Sequence, residues 1–327
     1  MTELWQDQQN QIKKITINTP FQVGPVNVYL IFSDALILVD TGPKTIEARD
    51  QLKAGLLKYG VSFSDLDYLL LTHHHPDHIG LTAEVAEHCE IAGHHRLIPW
   101  LDPENHPDFL NQRIAYLEQF YKRHGMDASS TEAIINQNLK YMTYAEVAPL
   151  NVPLRDGDVL DGLTGWQVME TLGHAQTHLS LMRDNDQVMV AGDHLIRHIS
   201  SNALLEPPHE LGGDRPRTLL QYRAAMKKCV SASKVYSGHG EPVLEPALLI
   251  QNRLHEQDQK AAYLKTLIGE EAMTAVEVTK KMYKGLYDRQ PGLTFSETLG
   301  HLDLLESRFE LSVSEKDVWR YAVSLKD

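Results

Sequence analysis

Several apolar runs in this chain each end in a loop carrying histidine or aspartate, and the first such loop constrains the fold most. Residues 72–80 read Thr-His-His-His-Pro-Asp-His-Ile-Gly, directly after Tyr68-Leu69-Leu70-Leu71. A short apolar run bounded in this way reads as a buried strand. A strand ending in several imidazoles and a carboxylate delivers them to one place, far more densely than a solvated surface needs. Neutral imidazole with carboxylate is the donor set of zinc and related divalent ions.

The segment fits H-x-H-x-D-H, with His73, His75, Asp77 and His78 in register. Three later runs end similarly. Residues 168–171 lead into Gly173-His174, 188–191 into Gly192-Asp193-His194, and 235–237 into Gly238-His239-Gly240. An earlier run, 36–39, leads into Asp40-Thr41-Gly42. With these elements in this order, the chain resembles the metallo-β-lactamase superfamily. The resemblance implies an α/β fold, a four-layer αββα sandwich, holding two divalent ions. Zinc is the first choice, with iron and manganese as alternatives. His73, His75 and His174 would hold one ion, Asp77, His78 and His239 the other, and Asp193 would bridge them. Asp40 would accept the free ring N–H of a ligating histidine and so fix its tautomer. His178, four residues after His174, would brace the site or meet the substrate, with Thr177 standing where the family usually has glycine.

The chain has 17 histidines, and most histidines in a globular protein are surface or satisfied core residues. His88, His106, His124, His209, His255 and His301 take that structural reading. His74 lies between two ligands and should point away from the metals, because side chains alternate along extended chain. His94, His95, His194 and His198 fall near the ligand loops and are weaker candidates for lining the cavity.

At 327 residues, with 42% hydrophobic and 23% charged residues, the chain suits one large domain and one small one. The expected division is 1–245, a catalytic domain, and 246–327, a small mostly helical domain. Cys89 and Cys229 sit in no CxxC motif and support no disulfide framework. Residues 1–7 show no basic stretch leading into an apolar one, and no run reaches the ~18 residues of a membrane span. The expectation is a cytoplasmic protein with no membrane role. A net charge of -13 disfavours nucleic acid as the main partner, since binding a phosphate backbone depends on Lys and Arg.

Strands are expected over 12–17, 26–32 and 36–39, and helices over 45–59 and 79–88. Between 97 and 150 the pattern changes. Pro99, Pro103 and Pro107 break the start, and helical periodicity follows over 110–124 and 130–144. This insertion of about 55 residues exceeds what a compact core needs. It reads either as a scaffold or as a lid whose Phe120, Tyr121 and Tyr141 would bind the apolar part of a substrate. Beyond 245, helices are expected over 246–267, 274–287 and 295–308, then a short strand pair over 313–324. That tail looks like the winged-helix-type extension of some superfamily members. Segment 246–327 has 11 Lys plus Arg against 13 Asp plus Glu, so it lacks the charge for nucleic acid. Packing or homodimerisation is the expected use.

The chemistry implied by the resemblance is hydrolysis by a hydroxide bridging two metals, with Asp77 and Asp193 as catalytic residues. The favoured substrate is a small thioester, ester or lactone with an apolar part. Glyoxalase II is similar in its motif and helical extension, but its glutathione-binding residues have no counterpart here. Acyl-homoserine-lactone lactonases share the ligand set without so long a tail. Ribonuclease Z has a basic arm that this chain lacks, and class B β-lactamases often differ at Asp77. The alternatives are a phosphodiesterase or endoribonuclease-like hydrolase, and an iron-dependent oxidoreductase on the same fold.

Overall fold

The computed structural model describes residues 11–210 and 212–324; the opening segment 1–7 lies outside them. Six strands form one sheet in chain order: β1 (Ile12–Ile17), β2 (Val26–Phe32), β3 (Leu36–Val39), β4 (Tyr68–Leu71), β5 (Glu90–His94) and β6 (Val152–Leu154). The first two pairings are antiparallel and the rest parallel. A second sheet runs β10 (Lys234–Tyr236), β9 (Val188–Val190), β8 (Leu179–Arg183), β7 (Trp166–Glu170).

Alternation along the strands makes the sandwich. On β2 and β3, Tyr29, Ile31, Ile37 and Val39 point inward, where Trp166, Val168, Leu179 and Leu181 of the second sheet meet them. The intervening Val28, Leu30, Phe32, Leu36 and Leu38 point outward, onto Leu52 and Leu56 of helix α1 (Ile46–Leu57). Both faces are covered, so these strands read as unbroken apolar runs. The outer face of the second sheet, with Met182, Met189 and Val235, is covered by α7 (Thr218–Lys228) and the C-terminal helices. The result is the αββα order.

The structure breaks the expected helix 79–88 into α2 (Pro76–Ile79) and α3 (Thr82–Ala86). Two contacts cause the break. The Leu81 N–H donates to Thr41 Oγ1 at 3.0 Å instead of to a helical carbonyl. Gly80 presses on Pro43 and Lys44 so closely that a Cβ would lie 2.2 Å from the Lys44 nitrogen.

The insertion folds as α4 (Ile98–Leu101), α5 (Phe109–Arg123) and α6 (Ala128–Met142). The C-terminal segment forms α8 (Pro246–Ile268), α9 (Ala275–Tyr283), α10 (Pro291–Ser307) and the hairpin β11 (Leu311–Glu315) and β12 (Trp319–Val323). Helix α9 stops at Tyr283, earlier than the expected 287, because Lys284 turns to φ 39. Helix α10 starts early, with Pro291 at its first position, where no N–H is needed.

These two segments share one apolar core. Phe120 and Tyr121 are 6% and 3% exposed and pack with Phe295, Leu302 and Tyr321 from the C-terminal segment. The expectation that they line a substrate cleft is therefore corrected: they hold α5 against α10. Arg215, in the chain before α7, clamps Asp303 of α10 through two bonds of 2.6 and 2.9 Å.

His124 ties the same interface together and predicts a pH response. Its Nδ1–H donates to the Phe120 carbonyl at 2.8 Å, and Nε2 faces the Tyr321 hydroxyl at 3.1 Å. Burial pushes its pKa down from 6.5 to about 4. The unfolded chain thus binds a proton more readily between those values, so stability is full above pH 6.5 and is lost as pH falls towards 4. The slope reaches about 1.4 kcal/mol per pH unit for one proton. Urea midpoints at neutral pH and near pH 5 are expected to differ less in His124→Gln than in wild type. An equal difference would remove His124 as the cause.

Candidate metal centre

Every loop picked out above lies at the end of a strand, and the loops meet at one edge of the sandwich. Main-chain bonds fasten them together. Asn27 N–H donates to the Gly238 carbonyl and Gly238 N–H to the Gly192 carbonyl, both at 2.6 Å. Residue 238 has no room for a side chain, since a Cβ would stand 2.2 Å from Asp193 Oδ1.

His73 Nε2, His75 Nδ1 and His174 Nε2 converge, His75 Nδ1 lying 2.9 Å from His73 Nε2 and 3.0 Å from His174 Nε2. The opposite ring nitrogens of His73 and His174 are committed elsewhere. His174 Nδ1 donates to the Asn202 carbonyl at 2.9 Å, with Ser201 Oγ also at 2.9 Å. Thr72 Oγ1 lies 3.0 Å from His73 Nδ1 and itself donates to Asp40 Oδ2 at 2.8 Å. The inward nitrogens of His73 and His174 therefore carry lone pairs, aimed with His75 Nδ1 at one spot.

The second group is Asp77, His78 and His239, whose donor atoms lie within 4.8 Å of one another. His78 Nδ1 donates to Asp40 Oδ2 at 2.7 Å, and His239 Nδ1 to the Pro25 carbonyl at 2.8 Å. Their Nε2 atoms are buried without a hydrogen-bond partner, as is Asp193 Oδ1. Asp193 stands between the groups: Oδ1 lies 3.4 Å from His78 Nε2, and Oδ2 lies 3.4 Å from His239 Nε2 and 3.7 Å from His174 Nε2. Buried polar atoms are almost always satisfied, so three orphans facing one another fit a divalent ion held between them.

Charge gives the same result. Burial opposes a charged His78, but Asp193, Asp40 and Asp77 outweigh it and hold its pKa well above the ordinary value. His239 is pushed up to about 10 despite burial, by Asp193 and Asp77. His73 and His75 move well below the ordinary value, through burial and then through neighbouring imidazoles. The carboxylates draw positive charge into the site, and among the described residues the ion pairs of Asp77 and Asp193 are all with histidine.

Asp40 accepts from the Thr72 N–H at 2.8 Å as well as from Thr72 Oγ1 and His78. It adopts φ 63, a strained left-handed conformation for a residue other than glycine. His178 lies behind the cluster, its Nε2 accepting the Asp193 N–H at 3.1 Å and its Nδ1 2.7 Å from Thr171 Oγ1. It braces the Asp193 loop from the core. His74 turns away, stacked on Trp100 at 3.9 Å and bonded to Thr177. The Thr177 hydroxyl thus anchors His74. His194 is buried against Tyr222, and His198 is exposed over Gly240.

A further group, His94, His95 and Glu170, is a poor cation site. His94 Nδ1 accepts the Arg96 N–H at 3.0 Å, so its proton sits on Nε2, donated to Glu170 at 3.1 Å. Arg155 stands 3.3 Å from His95. Sequence reasoning missed Thr72, Thr171, Ser201 and Asn202, the partners that fix the rings; only Thr72, beside the motif, carried any signal.

A sequence profile described as the Metallo-beta-lactamase superfamily matches residues 21–239. The probable metallo-hydrolase YqjP of Bacillus subtilis is 33% identical over 297 residues, 90% of this chain and 91% of its own. The probable metallo-hydrolase YflN of the same organism is 32% identical over 146 residues, 42% of this chain and 48% of its own. In fold, the chain is similar to a metallo-beta-lactamase family protein from Thermus thermophilus. The TM-score is 0.78 at 23% identity, covering 96% of this chain and 98% of that one. The Asp and His loops, their strand-end placement and these matches agree: the chain belongs to the metallo-β-lactamase superfamily.

Proposed function

We propose that this metal-dependent hydrolase cleaves a small thioester, ester or lactone at a dinuclear centre. His73, His75 and His174 would hold one ion and Asp77, His78 and His239 the other, with Asp193 placed between the two groups. The observation that carries the reading is the set of orphaned atoms, His78 Nε2, His239 Nε2 and Asp193 Oδ1, facing one another in a buried site. Zinc suits imidazole and carboxylate in this number. Such ions, when bound, supply Lewis acidity and bring the pKa of water to about 7.

The chain's own groups do the rest. Asp193 sets the separation of the two halves and draws charge between them. Asp77 holds its carboxylate 3.3 Å from His239 Nε2, where it can carry a proton to the leaving oxygen or sulfur. Asp40 holds His78 directly and His73 through Thr72, so that neither ring can turn. Asp40→Ala is expected to lower metal affinity or activity roughly 10- to 100-fold. Metal titration checks this, and unchanged affinity with unchanged turnover would contradict it.

An aromatic cluster beside the loop that holds His239 supports a substrate with an acyl or aryl group. Phe21, in the loop that also supplies Pro25 to His239, meets Tyr141 and Tyr144 edge-on at 5.4 Å each. A net charge of -13 supports a small molecule over nucleic acid. Free Cys89 and Cys229 support a reducing cytoplasm, and among the described residues no helix is long and apolar enough to cross a membrane. The test is a screen of zinc-loaded protein against thioesters, lactones and bis-p-nitrophenyl phosphate. Turnover of the phosphodiester alone would overturn the reading. So would a protein that holds iron and oxidises its substrate.

A further inference from the structure

A pocket of about 50 Å³, open to solvent on one side, lies between helices α8 and α10, and none of the seven metal-site side chains lines it. One wall is the Ser201-Asn202 segment, the same two residues that hold His174 Nδ1. His301 of α10 also lines the pocket and is 2% exposed. Its Nδ1–H donates to the Glu297 carbonyl at 2.7 Å, which fixes the tautomer and leaves Nε2 an acceptor. That Nε2 is buried with no partner. Around it the charges balance: Lys260 pairs with Glu297, and Arg253 pairs with Glu256 at 2.9 Å.

A buried acceptor without a donor is costly, so it calls for a donor from a water or a ligand. We propose that this pocket binds the ammonium and carboxylate head of a small zwitterion, an amino acid being the simplest case. The ammonium donates to His301 Nε2 and faces Glu297, while the carboxylate meets Lys260 and Arg253. A simple anion would bring its charge against Glu256 and Glu297, and a simple amine against Lys260 and Arg253. The volume suits roughly three to five water-sized atoms, the size of glycine, and the mouth opens to solvent, so a larger side chain can project outward.

Ser201 and Asn202 join the pocket to His174, so occupancy and metal affinity are coupled, each changing the other by the same factor. This coupling rests on the reading of His174 as a metal ligand; the pocket itself does not.

Calorimetric titration of the metal-loaded protein with glycine, acetate, methylammonium and glycerol tests the proposal. Glycine alone is expected to bind saturably, with a dissociation constant of millimolar order, the range open to a five-atom ligand. His301→Phe removes the acceptor at similar shape. The double variant Lys260→Glu/Glu297→Lys keeps the ion pair and reverses its direction. Each is expected to weaken glycine roughly tenfold or more, and in wild type the His301 Nε2 nitrogen resonance should move on addition of glycine. No saturable glycine binding, equal binding of acetate or glycerol, or indifference to both variants would overturn the site. Glycine should also slow zinc loss to a chelator; unchanged loss with glycine binding intact overturns the coupling alone. A chain that binds glycine but retains no zinc would count against the metal reading and not against the pocket. Competitive inhibition of ester hydrolysis by glycine would identify the ligand as the zwitterionic end of the substrate, and non-competitive inhibition as a free molecule.

Discussion

Replacing His239 with alanine is expected to halve the metal content of the purified protein, from close to two ions per chain to one. His239 Nε2 faces Asp77 at 3.3 Å and Asp193 at 3.4 Å, and its other nitrogen is held by the Pro25 carbonyl, so the ring has no second use. Without it, one half of the site keeps only Asp77, His78 and a share of Asp193. The group of His73, His75 and His174 is untouched. His174→Ala should empty the opposite half, and Asp193→Ala should weaken both because its carboxylate faces His78 and His239 of one group and His174 of the other. Hydrolysis should fall by more than the roughly 10- to 100-fold that loss of a supporting partner costs. Elemental analysis beside kcat/KM checks this. One ion in wild type, unchanged in His239→Ala, would sink the dinuclear reading.

The candidate site was largely legible in the sequence because its chemistry is local. A strand, a turn and a donor occupy six to ten consecutive residues, and metal coordination restricts which residue types can serve. His73, His75, Asp77, His78, His174, Asp193 and His239 are all brought together, with Asp40 beside them. The supporting groups were not legible. Ser201 Oγ and the Asn202 carbonyl reach His174 from a loop with no pattern of its own, and a main-chain carbonyl such as Pro25 leaves no trace in residue type.

The layered sheets followed from unbroken apolar runs, since only a strand covered on both faces reads that way. The division of labour among the helices did not follow. Amphipathic periodicity shows that a helix has a buried face, but not what covers it. Phe120 and Tyr121 carry the same signal whether they look into a cleft or onto α10. Likewise, the break at Leu81 depends on a Thr41 hydroxyl forty residues upstream.

That ambiguity has a measurable consequence. Phe120→Ala is expected to destabilise the fold by about 3–5 kcal/mol, the cost of truncating a fully packed aromatic residue. Against a usual total of about 5–15 kcal/mol, this is a large fraction. Phe120 stacks on His124 at 4.1 Å and meets Trp319 edge-on at 6.4 Å, so its removal opens a cavity where α5, α10 and the β11–β12 hairpin meet. Tyr121→Ser should behave similarly, because that ring packs against Phe295 at 5.2 Å. Tyr141 differs: it is 38% exposed and touches Phe21 of the loop that holds His239, so Tyr141→Ser should leave stability within about 0.5 kcal/mol and raise KM for an apolar substrate. Urea unfolding of the three variants, beside KM across an acetyl-to-octanoyl thioester series, separates the roles. If Phe120→Ala unfolded at the wild-type midpoint and raised KM in proportion to chain length, Phe120 would belong to the cleft, and the shared core of insertion and tail would be wrong.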